Sequence, residues 1–349
     1  MKKTPFQKNF KNITKQIGLL FAIIIAIVIV VFIGLELLIA NPSILKSKES
    51  LAQDWEPRNV DEEMANSFIM PEVAYGYKLL TETQKYLGPQ AEDPKMRLAG
   101  NNLKCVNCHL EAGSKIGSAT WAGVTERYPS FRGRSNAEGT IEDRINGCMQ
   151  RSMNGKKLDK ESKEMKSMVA YMDWLGEGMP KSKVKEVAGY ADLEIPETAV
   201  DLKKGEAIFA KHCVECHQEN GQGIKFEDFE NGYQYPPLWG DDSYNDGAGM
   251  HRVLTSAQFI KANMPYLLAS IENPVLTDEE AFNVAGYINS FNRPVLPNKE
   301  NDYPDKKLKP VSTPYGPWAD DFSAEQHKYG PFPPIIAYYQ EKYDIKKSK

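Results

Sequence analysis

Cys105-Val106-Asn107-Cys108-His109 recurs further along the chain as Cys213-Val214-Glu215-Cys216-His217. C-x-x-C-H is the attachment pattern of a c-type haem: the two cysteines add to the porphyrin vinyl groups, and the histidine beside the second is placed to ligate the iron. Two copies predict two covalently bound haem c groups, held by Cys105, Cys108 and His109 and by Cys213, Cys216 and His217. A shared four-cysteine zinc site is the competing reading. The histidine in both copies and the long stretch between the motifs argue against it.

The chain around each motif repeats one plan. A helix precedes the motif (about 71–86, and 201–212), and Gly-rich loops follow it. A short helix then presents a soft ligand candidate, and a longer helix closes the unit (160–175, and 278–289). The sequence therefore predicts a mainly α protein with two tandem class I-like cytochrome c domains, at 70–182 and 200–293, joined by a linker at 183–199. Residues 294–349 hold nine prolines and many tyrosines. They are too aromatic for a purely disordered tail and are expected to lie as a strap over one or both domains, with docking of a partner as a second use.

Ile17–Leu35 is nineteen residues without a charge, preceded by Lys2, Lys3, Lys8, Lys11 and Lys15. That run is long enough to cross a bilayer, and the lysines put the N-terminus in the cytoplasm. A cleaved signal peptide would have a shorter apolar region and a small-x-small site behind it. The expected layout is a basic cytoplasmic arm at 1–16, a transmembrane anchor at 17–39 and a spacer at 40–69. The haem domains then stand on the periplasmic side of the cytoplasmic membrane. Outside the short arm there is no sustained basic patch, so nucleic acid is not an expected partner.

Iron needs a second ligand unless one face is left open. For the second haem Met264, between a short helix and Pro265, is the leading candidate, with Met250, His251 and Lys261 as rivals. A thioether raises the haem potential relative to bis-imidazole and suits electron transfer. For the first haem the leading candidate is Cys148, the one cysteine of five that the motifs leave unused; Met149 and Met153 are substitutes. A thiolate lowers the potential and is itself reactive. Arg127, Arg132, Arg134, Arg144 and Arg151, with Lys156 and Lys157, cluster around Cys148 in sequence. Such a group suits an anionic substrate, with a solvated basic face as the bland alternative.

The run Arg144-Ile145-Asn146-Gly147-Cys148-Met149-Gln150-Arg151-Ser152-Met153-Asn154-Gly155, together with two haem motifs, resembles the distal-ligand segment of the thiosulfate dehydrogenases. These are dihaem cytochromes that interconvert thiosulfate and tetrathionate. The resemblance covers about 70–293. It implies that the first haem is catalytic with His109 and Cys148 as ligands, and that the second, with His217 and Met264, relays electrons. It also implies that Arg132 or Arg134, Arg144 and Ser152 hold substrate, beside Arg151 from the cluster. Where some members carry a lysine before the distal methionine, this chain has Asn263. The expected activity is oxidation of thiosulfate to tetrathionate. The acceptor would be soluble or membrane-bound, such as another cytochrome c or a terminal oxidase. Tetrathionate reduction and a tethered electron carrier without its own substrate are the alternatives.

Overall fold

Each haem-attachment segment sits beside a crossed pair of helices, and the crossing is built the same way twice. The computed structural model describes residues 16–32, 55–66, 68–228 and 232–349. The chain divides into two compact units, 1–55 and 56–349. In the first unit, residues 16–32 form helix α1, exposed along its length. Among the described residues no helix is long and apolar enough to cross a membrane. Residues 1–15 and 33–54, and with them the rest of the expected anchor, lie outside the described residues.

The second unit begins with α2 (Val60–Asn66), within the stretch expected as a spacer. Then come α3 (Pro71–Thr81), α4 (Thr83–Tyr86), the β1–β2 hairpin (Ser130–Arg132, Ala137–Gly139), α5 (Ile141–Arg151), α6 (Lys163–Leu175) and α7 (Lys181–Glu186). The later part comprises α8 (Leu202–His212), α9 (Val214–His217), the β3–β4 pair (Ile224–Lys225, Tyr233–Tyr235), α10 (Val253–Asn263), α11 (Asp278–Ser290), α12 (Ala324–Tyr329) and α13 (Pro333–Tyr343).

Helix α3 packs on α6, and α8 packs on α11. At the first crossing Gly76 lies against the Ser167 carbonyl and Tyr171; at the second, Gly205 lies against the Asn283 carbonyl and Tyr287. A Cβ at either glycine would collide with opposing backbone, which cannot swing aside as a side chain can. Gly76→Ala and Gly205→Ala are each expected to cost about 1–3 kcal/mol, read as a lower thermal unfolding temperature of the holoprotein. The second shared device follows each motif. Gly113 and Gly221 have φ of +85° and +66°, and a Cβ there would enter the rings of Trp121 and Trp239. Only glycine meets both demands at low cost.

The helix ends differ from the sequence reading for local reasons. α3 stops at Thr81, because Glu82 leaves helical geometry with φ −124° and ψ 38°. The break delivers Thr83 to the first motif: its hydroxyl accepts from the Cys105 amide at 3.1 Å and lies 3.3 Å from Cys105 Sγ. α6 starts at Lys163 because Ser162 caps it, accepting from the Met165 amide at 3.2 Å. The expected linker contains part of α7, anchored by the buried Val184.

The Pro/Tyr-rich extension is ordered and packs on the second cytochrome region. Its Val311, Phe332, Ile335 and Tyr339 join Leu254, Phe282 and Val284 in one apolar core. A polar group holds it from within. His327 Nε2 lies 2.9 Å from Asp320, Tyr339 donates to the same carboxylate at 2.5 Å, and Trp318 stacks on His327 at 4.4 Å. This arrangement satisfies buried polar groups that would otherwise oppose the packing.

Candidate functional site

Helix α5 is the element that makes the two sites unequal. Thr140 and Asp143 form a reciprocal capping box at its start. Ile145 and Met149 anchor its inner face, each at most 8% exposed. Arg144 and Cys148, four residues apart, share the neighbouring face. Arg144 Nη1 donates to Cys148 Sγ at 3.0 Å, and the His109 ring lies near enough to lower the pKa of the same thiol. Burial alone would raise the Cys148 pKa. The charges of Arg144, His109 and Arg132 outweigh it and pull the value down to about 6.

The residues present fit haem at both motifs. His109 Nδ1–H donates to the Ala119 carbonyl at 2.8 Å, and His217 Nδ1–H to the Pro236 carbonyl at 2.9 Å. Each bond fixes the ring and leaves Nε2 as the available ligand atom, as is usual for metal-bound histidine. Trp121 packs on the His109 ring with centroids 4.8 Å apart. At the second motif a largely apolar cavity of about 270 Å³ is lined by Cys213, Cys216, His217, Met250 and Met264. The same cavity is walled by Val106, Asn107, Cys108 and Leu110, so the first attachment segment forms one side of the second haem's chamber.

The rival ligands for the second iron separate. Lys261 is ion-paired with Asp278, and His251 Nδ1 is bonded to the Asp246 carbonyl at 2.8 Å. Neither lines the cavity, whereas Met264 and Met250 both do. Met264 follows the last turn of α10 in extended backbone, its amide closing the helix on the Ile260 carbonyl. Cys148 instead lies within a helix, so the two distal candidates are not equivalent in the fold. Met264→His is expected to lower the potential of the second haem while Met250→Leu leaves it unchanged, as read by spectroelectrochemical titration; the opposite pattern would assign Met250.

Four of the five arginines divide into two groups. Arg144 touches Cys148, and Arg132, whose charge bears on Cys148, bonds Tyr128 Oη at 3.0 Å. Arg134 and Arg151 both grip Asp302, a residue of the extension. Ser152 closes α5, and its carbonyl accepts from Asn101 at 2.9 Å. Met149 and Met153 point into the core and are at most 3% exposed, which sets them apart from the thiol.

Four residues near this site escaped sequence reasoning. Tyr190 of the expected linker lies among Cys108, Cys148, Arg144 and Arg252, and burial lifts its hydroxyl to about 12. Arg252, just before α10, has a buried Nε without a partner. Asp302 and Tyr315 come from the extension. No local motif marks any of them; they are brought in by tertiary packing alone.

Fold and site together define a dihaem c-type cytochrome with one His/Cys and one His/Met candidate ligand set. The SoxA/TsdA cytochrome c domain family matches residues 96–181, and the Cytochrome c family matches 202–292. The thiosulfate dehydrogenase of Stutzerimonas stutzeri is 38% identical over 225 residues, covering 64% of this chain and 68% of that protein. The Allochromatium vinosum thiosulfate dehydrogenase is 34% identical over 251 residues, 71% of this chain and 90% of that one. The solved thiosulfate dehydrogenase (TsdBA) of Marichromatium purpuratum superposes with a TM-score of 0.61 at 32% identity, over 71% of this chain and 51% of that chain. The chain belongs to the thiosulfate dehydrogenase family, a family of oxidoreductases, and its two cytochrome c domains carry two covalently bound haem c groups.

Proposed function

We propose that this protein oxidises thiosulfate to tetrathionate at the first haem site and sends the electrons out through the second. The observation that carries the proposal is Arg144 bonded to Cys148 beside His109. Two S₂O₃²⁻ ions become one S₄O₆²⁻ with loss of two electrons and formation of one S–S bond. Two dianions must be brought together, so the barrier has a large electrostatic part. Arg132 and Arg144 supply fixed positive charge where that repulsion develops. Arg144 also keeps Cys148 in its thiolate form, and the Ala119 carbonyl holds His109 in the ligating tautomer. The haem pair, when bound, supplies the electron sink. The wall shared between the two motifs favours transfer to the second group. From there the acceptor would be another cytochrome c or a terminal oxidase.

In this reading residues 17–39 tether the protein to the cytoplasmic membrane, with the haem region on the periplasmic side. The uncharged run from Ile17 to Leu35 and the five lysines before it support that placement. The activity is tested by steady-state assay of the purified holoprotein with thiosulfate and ferricyanide, with tetrathionate identified by ion chromatography. Thiosulfate-dependent reduction with one tetrathionate per two ferricyanide is the expected result. Ferricyanide reduction without tetrathionate, or none at all, rejects the assignment.

A further inference from the structure

Asp302 lies beyond residue 292, where the second domain match ends, yet it reaches back to two arginines of the first cytochrome domain. One carboxylate oxygen accepts from Arg134 Nη1 and, at 2.8 Å, from Tyr315 Oη; the other accepts from Arg151 Nη2 at 2.7 Å. Arg134 Nη1 also donates to Tyr315 Oη at 2.9 Å, and its guanidinium lies over the Tyr303 ring at 5.0 Å. The contact is fixed in the backbone as well, where the Tyr303 amide donates to the Arg134 carbonyl at 2.9 Å. The Asp302 side chain is 11% exposed, so its links to the arginines are only weakly screened by water.

The consequence is geometric. Arg134 is gripped through Nη1, which reaches Asp302, Tyr315 and the Gly247 carbonyl, and Arg151 through Nη2. Arg151 Nε is buried without a partner. Two guanidiniums on one carboxylate repel each other, and the Arg134 charge also bears on Arg144; the single carboxylate offsets that repulsion and fixes both orientations. We propose that Asp302 is a positioning residue of the first site, by which the C-terminal extension aims Arg134 and Arg151 at the incoming dianion. The residue itself need not touch substrate. The inference rests on the thiosulfate reading for its ligand, but it assigns the extension a part in binding that neither matched domain contains.

The test compares Asp302→Asn and Asp302→Glu with wild type in the full-length holoprotein. Three quantities are measured: thiosulfate KM and kcat with ferricyanide, thiosulfate Kd from its effect on the ferric absorption spectrum, and thermal unfolding. Asn keeps the shape and loses the charge, so KM and Kd are expected to rise roughly tenfold or more, with kcat within about threefold of wild type. Glu is expected to recover most of the loss, because it keeps the charge and both acceptor oxygens. Three outcomes overturn the inference: unchanged Kd in Asp302→Asn; a lower Kd, which would make the carboxylate only an electrostatic brake; or equal losses in both variants that track unfolding. If wild type binds thiosulfate without oxidising it, the activity assignment fails while the Kd comparison still decides the role of Asp302. If wild type shows no saturable spectral response to thiosulfate, the inference falls as well.

Discussion

Replacing Cys148 with alanine is expected to reduce thiosulfate turnover at least ~10³-fold while both haems stay covalently attached. Attachment depends on Cys105, Cys108, Cys213 and Cys216, none of which is altered. Cys148 is the thiol that meets His109, and the thiolate that Arg144 and Arg132 stabilise. Removing it deletes a negatively charged donor from the first site and leaves Arg144 without its bonded partner. Cys148→Met is the stricter variant. It restores a sulfur donor, on a longer side chain and with no negative charge, so the first site would come to resemble the second in its donor set. The measurements are pyridine haemochrome content for attachment and steady-state turnover for activity. Two haems per chain with near-wild-type turnover in either variant would remove Cys148 from the mechanism.

Arg144→Met should carry the second-largest penalty, about 10²-fold in turnover at neutral pH. The arginine has two jobs, and methionine takes over neither. It donates directly to Cys148 Sγ at 3.0 Å, and it is the largest of the influences that lower that group's pKa. Burial pushes the thiol the other way and stays in the variant, opposed only by His109 and Arg132. In wild type the charges of Arg144, His109 and Arg132 outweigh burial and draw the thiol down to about 6. Without Arg144 the proton leaves only at higher pH, so the acid limb of the pH–rate profile moves alkaline by at least about one unit. A variant that loses turnover equally at every pH would show that Arg144 serves the substrate alone. Arg144→Lys keeps charge but not the planar fork, and is expected to fall between the two.

Local chemistry and periodicity made the main outline legible. The paired motifs locate both haems, and the unused fifth cysteine singles out Cys148. These features are readable because each depends on residues close in sequence. The helix boundary at Glu82 was missed because Thr83 turns away to meet Cys105, a partner 22 positions later. The crossings at Gly76 and Gly205 were missed for the same reason: the need for glycine comes from Ser167 and Asn283, on helices far along the chain. The largest gap concerns charge. A cluster of arginines in sequence does not say what holds each of them, and Arg134 and Arg151 are held by Asp302, 168 and 151 residues away. The same packing turned an extension expected to be a strap into part of the site's surroundings.

The account rests on two haems with different sixth ligands, and electron paramagnetic resonance of the ferric holoprotein at low temperature tests that claim most directly. Histidine–thiolate and histidine–methionine ligation differ in donor strength, so two distinct low-spin signals of equal weight are expected. The thiolate-type signal should vanish in Cys148→Ala and the other should persist. Two signals of the same type, or a spectrum that Cys148→Ala leaves unchanged, would contradict the account.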